Sequence, residues 1–248
     1  MLHALRSRVG TLSVRLPALD DGWLGCAMTL DLEDLRLGVY SALASTGRAP
    51  APGDLAAALG VSRDDVATGL RQLAAARHLA LDADGHVVLA HPFATIDLGF
   101  SVKGSHTLWW GGCVWDSFAI PHLVPDEPEV LVATTCQGCG RPHAWVVNRE
   151  AAPAGDQVAH FLVPAAHLWD DVVRSCSNQR VFCDDDCLTA WLEREGLKRG
   201  YATELATVWR LASGWYAGRL DRGYIRRESS AAHAYLRDAG LSGAFWGL

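Results

Sequence analysis

Ser62-Arg-Asp-Asp-Val-Ala-Thr-Gly-Leu-Arg-Gln-Leu73, followed shortly by Leu79-Ala-Leu-Asp-Ala-Asp-Gly-His-Val-Val-Leu89, is where the periodicity of this chain changes. In the first stretch Val66, Leu70 and Leu73 recur at helical spacing, Ser62 is a helix cap, and Asp64 and Asp65 suit a first turn. The second stretch reads as a β-hairpin turning at Asp84-Gly85. Upstream, Leu32, Leu35, Leu37, Val39, Tyr40 and Leu43 predict an amphipathic helix from Asp31 to Ala44. The break Gly47-Arg-Ala-Pro-Ala-Pro-Gly53 follows, then a short helix over Asp54–Gly60. Three helices and a hairpin predict a winged helix-turn-helix-like domain over residues 30–92, preceded by an N-terminal arm over residues 1–29.

Beyond residue 92 short β-type runs dominate: Thr95–Phe100, Val130–Thr134, Ala144–Val147 and Val158–Val163. Pro125-Asp-Glu-Pro128 and Ala151-Ala-Pro-Ala-Gly155 interrupt them. Helices are predicted at Val114–Ile120, ending before Pro121, at Ala165–Arg174, closing before Cys176, at Leu188–Glu195 and at Glu204–Ala217. The chain is therefore α+β, with residues 93–248 a mixed domain built on antiparallel strands.

At 248 residues, half of them hydrophobic, the chain can bury a substantial core. Its net charge of −6 argues against a general nucleic-acid binder. Between Asp31 and Asp84 eight acidic residues face five arginines, and Asp64 and Asp65 occupy the recognition-helix position where phosphate contacts need Arg or Lys. No run of about 18 apolar residues exists to span a membrane, and the N-terminus lacks a continuous apolar signal core, so a cytoplasmic location is expected.

Seven cysteines include two close pairs, which in a reducing compartment read as metal ligands. Cys136-Gln-Gly-Cys139-Gly-Arg-Pro-His143 has the form of a knuckle. Cys183-Asp-Asp-Asp-Cys187 places the second pair at a strand end and in the first turn of a helix, whose N-terminus favours thiolate. Cys136, Cys139, Cys183 and Cys187 thus predict a closed four-sulfur zinc site of structural kind. A redox dithiol is the competing reading, and His143 is a substitute ligand. Cys26 reads as a small apolar residue.

Cys113-Val-Trp-Asp116 and Cys176 stand apart from that quartet. If Cys113 begins a helix, its thiol and the Asp116 carboxylate share one face. Two thiols capture a soft metal, and a carboxylate beside them can accept a thiol proton and return it to a departing carbanion. Taken singly, each residue also reads as ordinary: Cys113 as a small core residue, Asp116 as a helix-start residue.

Trp109-Trp110-Gly111-Gly112, Cys113-Val-Trp-Asp-Ser-Phe-Ala-Ile-Pro121, the Thr135-Cys136 to Gly140-Arg-Pro142 turn and Val172-Val-Arg-Ser-Cys-Ser-Asn-Gln-Arg-Val-Phe182 follow the winged-helix pattern in that order. Together they resemble the organomercurial (alkylmercury) lyase, or MerB, family, from about Leu35 to Phe182 with weaker continuity to Ala217. The resemblance implies an enzyme of mercury resistance that splits a carbon–mercury bond by protonolysis, giving a hydrocarbon and Hg(II). It implies Cys113 and Cys176 as mercury-binding thiols, Asp116 as the proton carrier and Cys136 as a structural cysteine. It needs no organic cofactor. The implied partners are a small organometallic substrate, cellular thiols that remove Hg(II), and a mercuric reductase for hand-off. Trp109, Trp110 and Trp115 are candidates for an apolar pocket around the organic group. Cys139, Cys183 and Cys187 depart from the family pattern. That leaves three other readings: a related enzyme with a non-mercury substrate, a zinc- or thiol-responsive winged-helix regulator, and a structural zinc protein without catalysis.

Overall fold

The computed structural model describes residues 29–248. The predicted arm over 1–29, all but its last residue, and Cys26 lie outside the described residues.

Three helices open the fold: α1 (Leu32–Thr46), α2 (Pro52–Leu59) and α3 (Arg63–Ala75). Ser62 caps α3 as predicted. Its Oγ accepts from the Asp65 N–H (3.1 Å), and Asp65 Oδ2 accepts from the Ser62 N–H (3.2 Å), a reciprocal box that commits Asp65 to the helix end. Leu35, Val39, Tyr40 and Leu43 of α1 and Val66, Leu70 and Leu73 of α3 are buried in the main core. The hairpin follows as β1 (Ala80–Leu81) and β2 (Val87–Ala90). Asp82 Oδ1 accepts from the N–H groups of Asp84 and His86 to shape its turn.

The hairpin does not stand alone. β2 pairs with β3 (Phe93–Ala94), so one antiparallel sheet runs across residues 92 and 93. That sheet continues through β4 (Phe100–Lys103), β5 (Leu108–Gly111), β6 (Glu129–Thr135) and β7 (Pro142–Asn148), in the order β1-β2-β3-β5-β4-β6-β7. A smaller antiparallel sheet contains β8 (Val158–Phe161), β9 (Gln179–Phe182) and β10 (Tyr201–Glu204), with β8 central.

Helix α4 (Val114–Leu123) lies between these layers and packs on α7 (Leu205–Trp215). All of its residues except His122 are buried, as expected for a helix apolar on every side. It runs past Pro121, contrary to the sequence expectation. Arg149 reaches its C-terminal carbonyls, donating to the oxygens of Pro121, Val124 and Pro125 at 2.6, 2.7 and 3.0 Å. These are the carbonyls a helix end leaves without partners.

Two other expectations are corrected. The strand read at Thr95–Phe100 begins only at Phe100, because Asp97 Oδ1 accepts from the Gly99 N–H (2.7 Å) and turns the chain there. The helix read at Ala165–Arg174 is a 3-10 turn, Ala165–His167, followed by a new start. Asp171 caps α5 (Val172–Ser177) by accepting from the Arg174 N–H (2.9 Å), so Cys176 lies inside this helix. Helices α6 (Asp185–Glu195) and α8 (Ser229–Asp238) complete the fold. None of the described helices is long and apolar enough to cross a membrane.

Candidate active site and thiolate cluster

Cys113 is the N-cap of α4 and Asp116 its third residue. This is capping-box spacing with a thiol in place of the usual hydroxyl. The Asp116 N–H points at Cys113 Sγ (3.4 Å), and the thiol points at Asp116 Oδ2 (3.2 Å). Gly111 and Gly112 are needed for close approach. A Cβ on Gly112 would stand 2.3 Å from Asp116 Oδ2, and one on Gly111 would stand 2.0 Å from Ser117 Oγ.

Cys176 arrives from α5, with its Sγ 3.9 Å from the same Asp116 oxygen. The three residues predicted from sequence therefore meet at one carboxylate, and all three are buried. Two further residues complete the group. His91 Nδ1 is 3.2 Å from Asp116 Oδ2, and the Tyr216 hydroxyl donates to Asp116 Oδ1. Neither was found by sequence reading. His91 belongs to the β2–β3 corner and Tyr216 follows α7, and no local motif links them to Cys113.

Burial pushes the Cys113 thiol well above its ordinary pKa, with Cys176 and the Asp116 carboxylate adding to the effect. The Cys176 thiol is also raised: its hydrogen bond with Cys113 pulls it down, but burial and Asp116 outweigh that. Burial and the Asp116 charge hold Tyr216 well above the usual phenol range, so it is a hydrogen-bond donor here. The dry site thus keeps its thiols protonated until a cation offsets the charge of the thiolates.

A cavity of about 100 Å³ opens over these groups. Trp115, Trp169, Trp215 and Leu168 supply apolar wall. Of the tryptophans proposed for it from sequence, only Trp115 lines it. Trp109 is core, its indole N–H donating to the Leu43 carbonyl at 2.8 Å, and Trp110 lies elsewhere on the sheet.

The second cluster is separate. The sulfurs of Cys136, Cys139, Cys183 and Cys187 lie within 4.8 Å of one another, and those of Cys139 and Cys183 are 3.4 Å apart. A tetrahedral site with Zn–S bonds of about 2.3 Å has sulfurs about 3.8 Å apart, so this donor set can hold such an ion. Cys136 and Cys139 come from the β6–β7 turn, Cys183 follows β9, and Cys187 sits in the first turn of α6. The knuckle lies against α6 so closely that a Cβ on Gly138 would stand 2.3 Å from the Cys187 carbonyl oxygen. His143 Nε2 is 3.5 Å from Cys183 Sγ, at the margin of the cluster. The strand β9 leads directly from Cys176 to Cys183, yet the two clusters share no residue.

Comparison with known proteins bears on the fold and the family. The chain resembles the crystal structure of the mercury-bound form of MerB2 with a TM-score of 0.58 and 16% identity, over 77% of this chain and 93% of that one. At that identity the likeness speaks for the fold alone. No curated protein matches the chain. The family model described as alkylmercury lyase (MerB) matches residues 93–217, which begins later than the Leu35 suggested by motif reading and takes in Cys113, Asp116, Cys176 and Tyr216. That segment is half of the chain, and the protein belongs to the alkylmercury lyase (MerB) family.

Proposed function

We propose that the protein is an organomercurial lyase that cleaves carbon–mercury bonds by protonolysis, with Cys113, Cys176 and Asp116 as its reacting groups. The observation that carries this reading is that both thiols address the same oxygen of one buried carboxylate. The balance is R–Hg⁺ plus two thiols giving R–H, a bis-thiolate Hg(II) and one proton. Mercury bonds to the first sulfur as that thiol's proton passes to Asp116. Binding of the second sulfur adds electron density to the metal and weakens the carbon–mercury bond. Asp116 then protonates the carbon as that bond breaks, and the other proton leaves the site. Two small cellular thiols exchange onto Hg(II), regenerating Cys113 and Cys176, and a mercuric reductase is the fitting recipient.

Tyr216 and His91 hold Asp116 in register with both sulfurs. The tryptophan-lined wall excludes water from the polarised bond. The four-cysteine cluster is read as a structural zinc site, supported by its sulfur spacing; four sulfur ligands leave no open position for chemistry. Residues 30–92 are read as a winged-helix-like unit used for packing and 93–248 as the lyase-like domain. Asp65, committed to the α3 cap, supports packing over nucleic-acid contact. A cytoplasmic setting suits the free thiols.

The test is direct. With phenylmercury and excess 2-mercaptoethanol, the zinc-loaded protein should release benzene, measured by headspace gas chromatography. Asp116→Ala should lower the rate by about 10² to 10⁴-fold, the range of positioned acid–base groups. Cys113→Ser and Cys176→Ser should abolish turnover while keeping zinc and fold. Undiminished benzene release by any of the three variants would remove the role given to that residue.

A further inference from the structure

The cavity over Asp116 carries more positive charge than this reaction uses. Arg219, Arg226 and Arg227 line it together with the two thiols. Asp116 is the one carboxylate among the lining residues, and both of its oxygens are already engaged. Among the described residues no carboxylate lies within 4.0 Å of any of the three guanidinium groups.

Arg219 is the informative member. It is 4% exposed. Its donors go only to neutral oxygens: His91 O (3.0 Å), the Tyr224 hydroxyl (3.0 Å) and the Tyr40 hydroxyl (3.4 Å). Its Nε has no partner among the described residues. The guanidinium lies over the rings of Tyr216 and Tyr224, 4.8 and 5.0 Å from their centroids. Ring faces attract a cation but do not neutralise it. Arg36, also buried and also near the Tyr40 ring, shows the usual arrangement: Glu33 grips it through two hydrogen bonds of 2.7 Å. A buried charge without such a partner is costly, so a missing anion is the economical explanation of Arg219.

The other two arginines sit nearer solvent and lie over aromatic rings. Arg226 lies over Trp169 (5.4 Å) and Arg227 between Tyr235 (4.6 Å) and Trp215 (5.8 Å), each with one N–H on a backbone carbonyl. This leaves planar donor groups beside aromatic walls that also line the cavity. A planar anion on a flat apolar stem matches both features, since guanidinium forks pair with carboxylates in two-pronged fashion.

We propose that this cavity recognises a carboxylate on the ligand that approaches Cys113 and Cys176, carried by the organic group or by the thiol that accompanies the metal. The inference rests on the lyase reading only for what the carboxylate is attached to. An alkylmercury with a small uncharged organic group would fill the apolar wall and leave the arginines unpaired. A 4-carboxyphenyl group, or a thiol bearing carboxylates, would satisfy both.

Two experiments test this. Saturation-transfer NMR on the zinc-loaded protein, without mercury, should show benzoate binding and benzamide failing to bind. Arg226→Gln/Arg227→Gln and, separately, Arg219→Met should lose the benzoate signal; circular dichroism and melting temperature check that each variant is folded. Turnover supplies the second arm. With 2-mercaptoethanol, kcat/KM for 4-carboxyphenylmercury should exceed that for phenylmercury by about tenfold or more, the worth of one charge-assisted contact. In the arginine double variant that ratio should fall toward one. If phenylmercury instead gains only when mercaptosuccinate replaces 2-mercaptoethanol, the thiol carries the carboxylate. Equal NMR signals for benzoate and benzamide, with equal turnover in every pairing, would overturn the proposal and leave the lyase reading standing. Benzoate selectivity without release of any hydrocarbon would uphold the pocket and sink the lyase reading.

Discussion

At the scale of single residues, the site depends on how Asp116 is held, not only on its presence beside two thiols. Tyr216 takes Oδ1, which leaves Oδ2 facing Cys113, Cys176 and His91. Tyr216→Phe keeps the ring and its packing and removes one hydrogen bond to a buried carboxylate. Such a bond is worth about 1.5–3 kcal/mol, so kcat for phenylmercury should fall by about 10- to 100-fold, in a variant that stays folded with a melting temperature lower by roughly 3–12 °C. A variant as fast as the parent protein would show that Asp116 is oriented by the thiols alone. Cys113, Asp116 and Cys176 were legible because two of them are three residues apart and the family resemblance supplied the third. Tyr216 and His91 were not. They lie 100 and 25 residues from Asp116, and a lone Tyr after a helix or a His before a proline has no spacing that declares a role.

At the scale of elements, short-range signals were read well and backbone accommodations were not. The Ser62 cap, the Asp84-Gly85 turn and the buried side of α3 all appear as predicted, since each is fixed by neighbours within a few residues. The extension of α4 past Pro121 was missed because its cause, Arg149, belongs to the segment after β7. Gly111-Gly112 lets β5 meet the first turn of α4, a contact that no local spacing in the sequence declares. Strand β9 is legible in the sequence only by its end at Cys183, because Gln179 and Arg180 interrupt its apolar run, although Gln179 is buried and Arg180 donates to the Leu98 carbonyl at 2.7 Å. The knuckle between β6 and β7 gives a sharper test of an element. Gly138→Ala would drive a Cβ into the backbone of α6 at Cys187, an obstacle no side-chain rotation relieves. Zinc per chain, by elemental mass spectrometry, should fall well below that of the parent protein, and the melting temperature should fall with it. Full zinc occupancy and unchanged melting would show that the loop and helix separate freely and that the cluster does not pin them.

At the scale of the whole molecule, the three helices, the two sheets and the central α4 share one main core, so unfolding should report on all of them together. Three histidines in different parts of that body give it an acid limit. Burial holds His78, His122 and His160 down to a pKa of about 4 each, and neighbouring arginines push the same way. His78 follows α3, His122 is in α4 and His160 is in β8. An unfolded histidine titrates near 6.5. Between pH 6.5 and 4 the unfolded chain therefore binds protons that the folded chain refuses, and stability falls as the pH is lowered through that window. Above pH 6.5 these groups are neutral in both states and their effect is fully favourable; below 4 they add no further slope. His160 Nε2 accepts from the Gly200 N–H at 2.9 Å, which only the neutral ring can do. His122 is the better probe, because it lies outside the four-cysteine cluster and packs edge-on to Trp209 at 5.5 Å. His122→Leu removes its titration while keeping an apolar contact with that ring. The drop in melting temperature from pH 7 to pH 4.5 should be smaller in this variant than in the parent protein. Loss of a metal from the four-cysteine cluster in acid would affect both proteins alike, so the difference between the two drops isolates the histidine. Equal drops would mean that His122 takes up its proton in the folded state without penalty, and that the acid limit of the fold is set elsewhere.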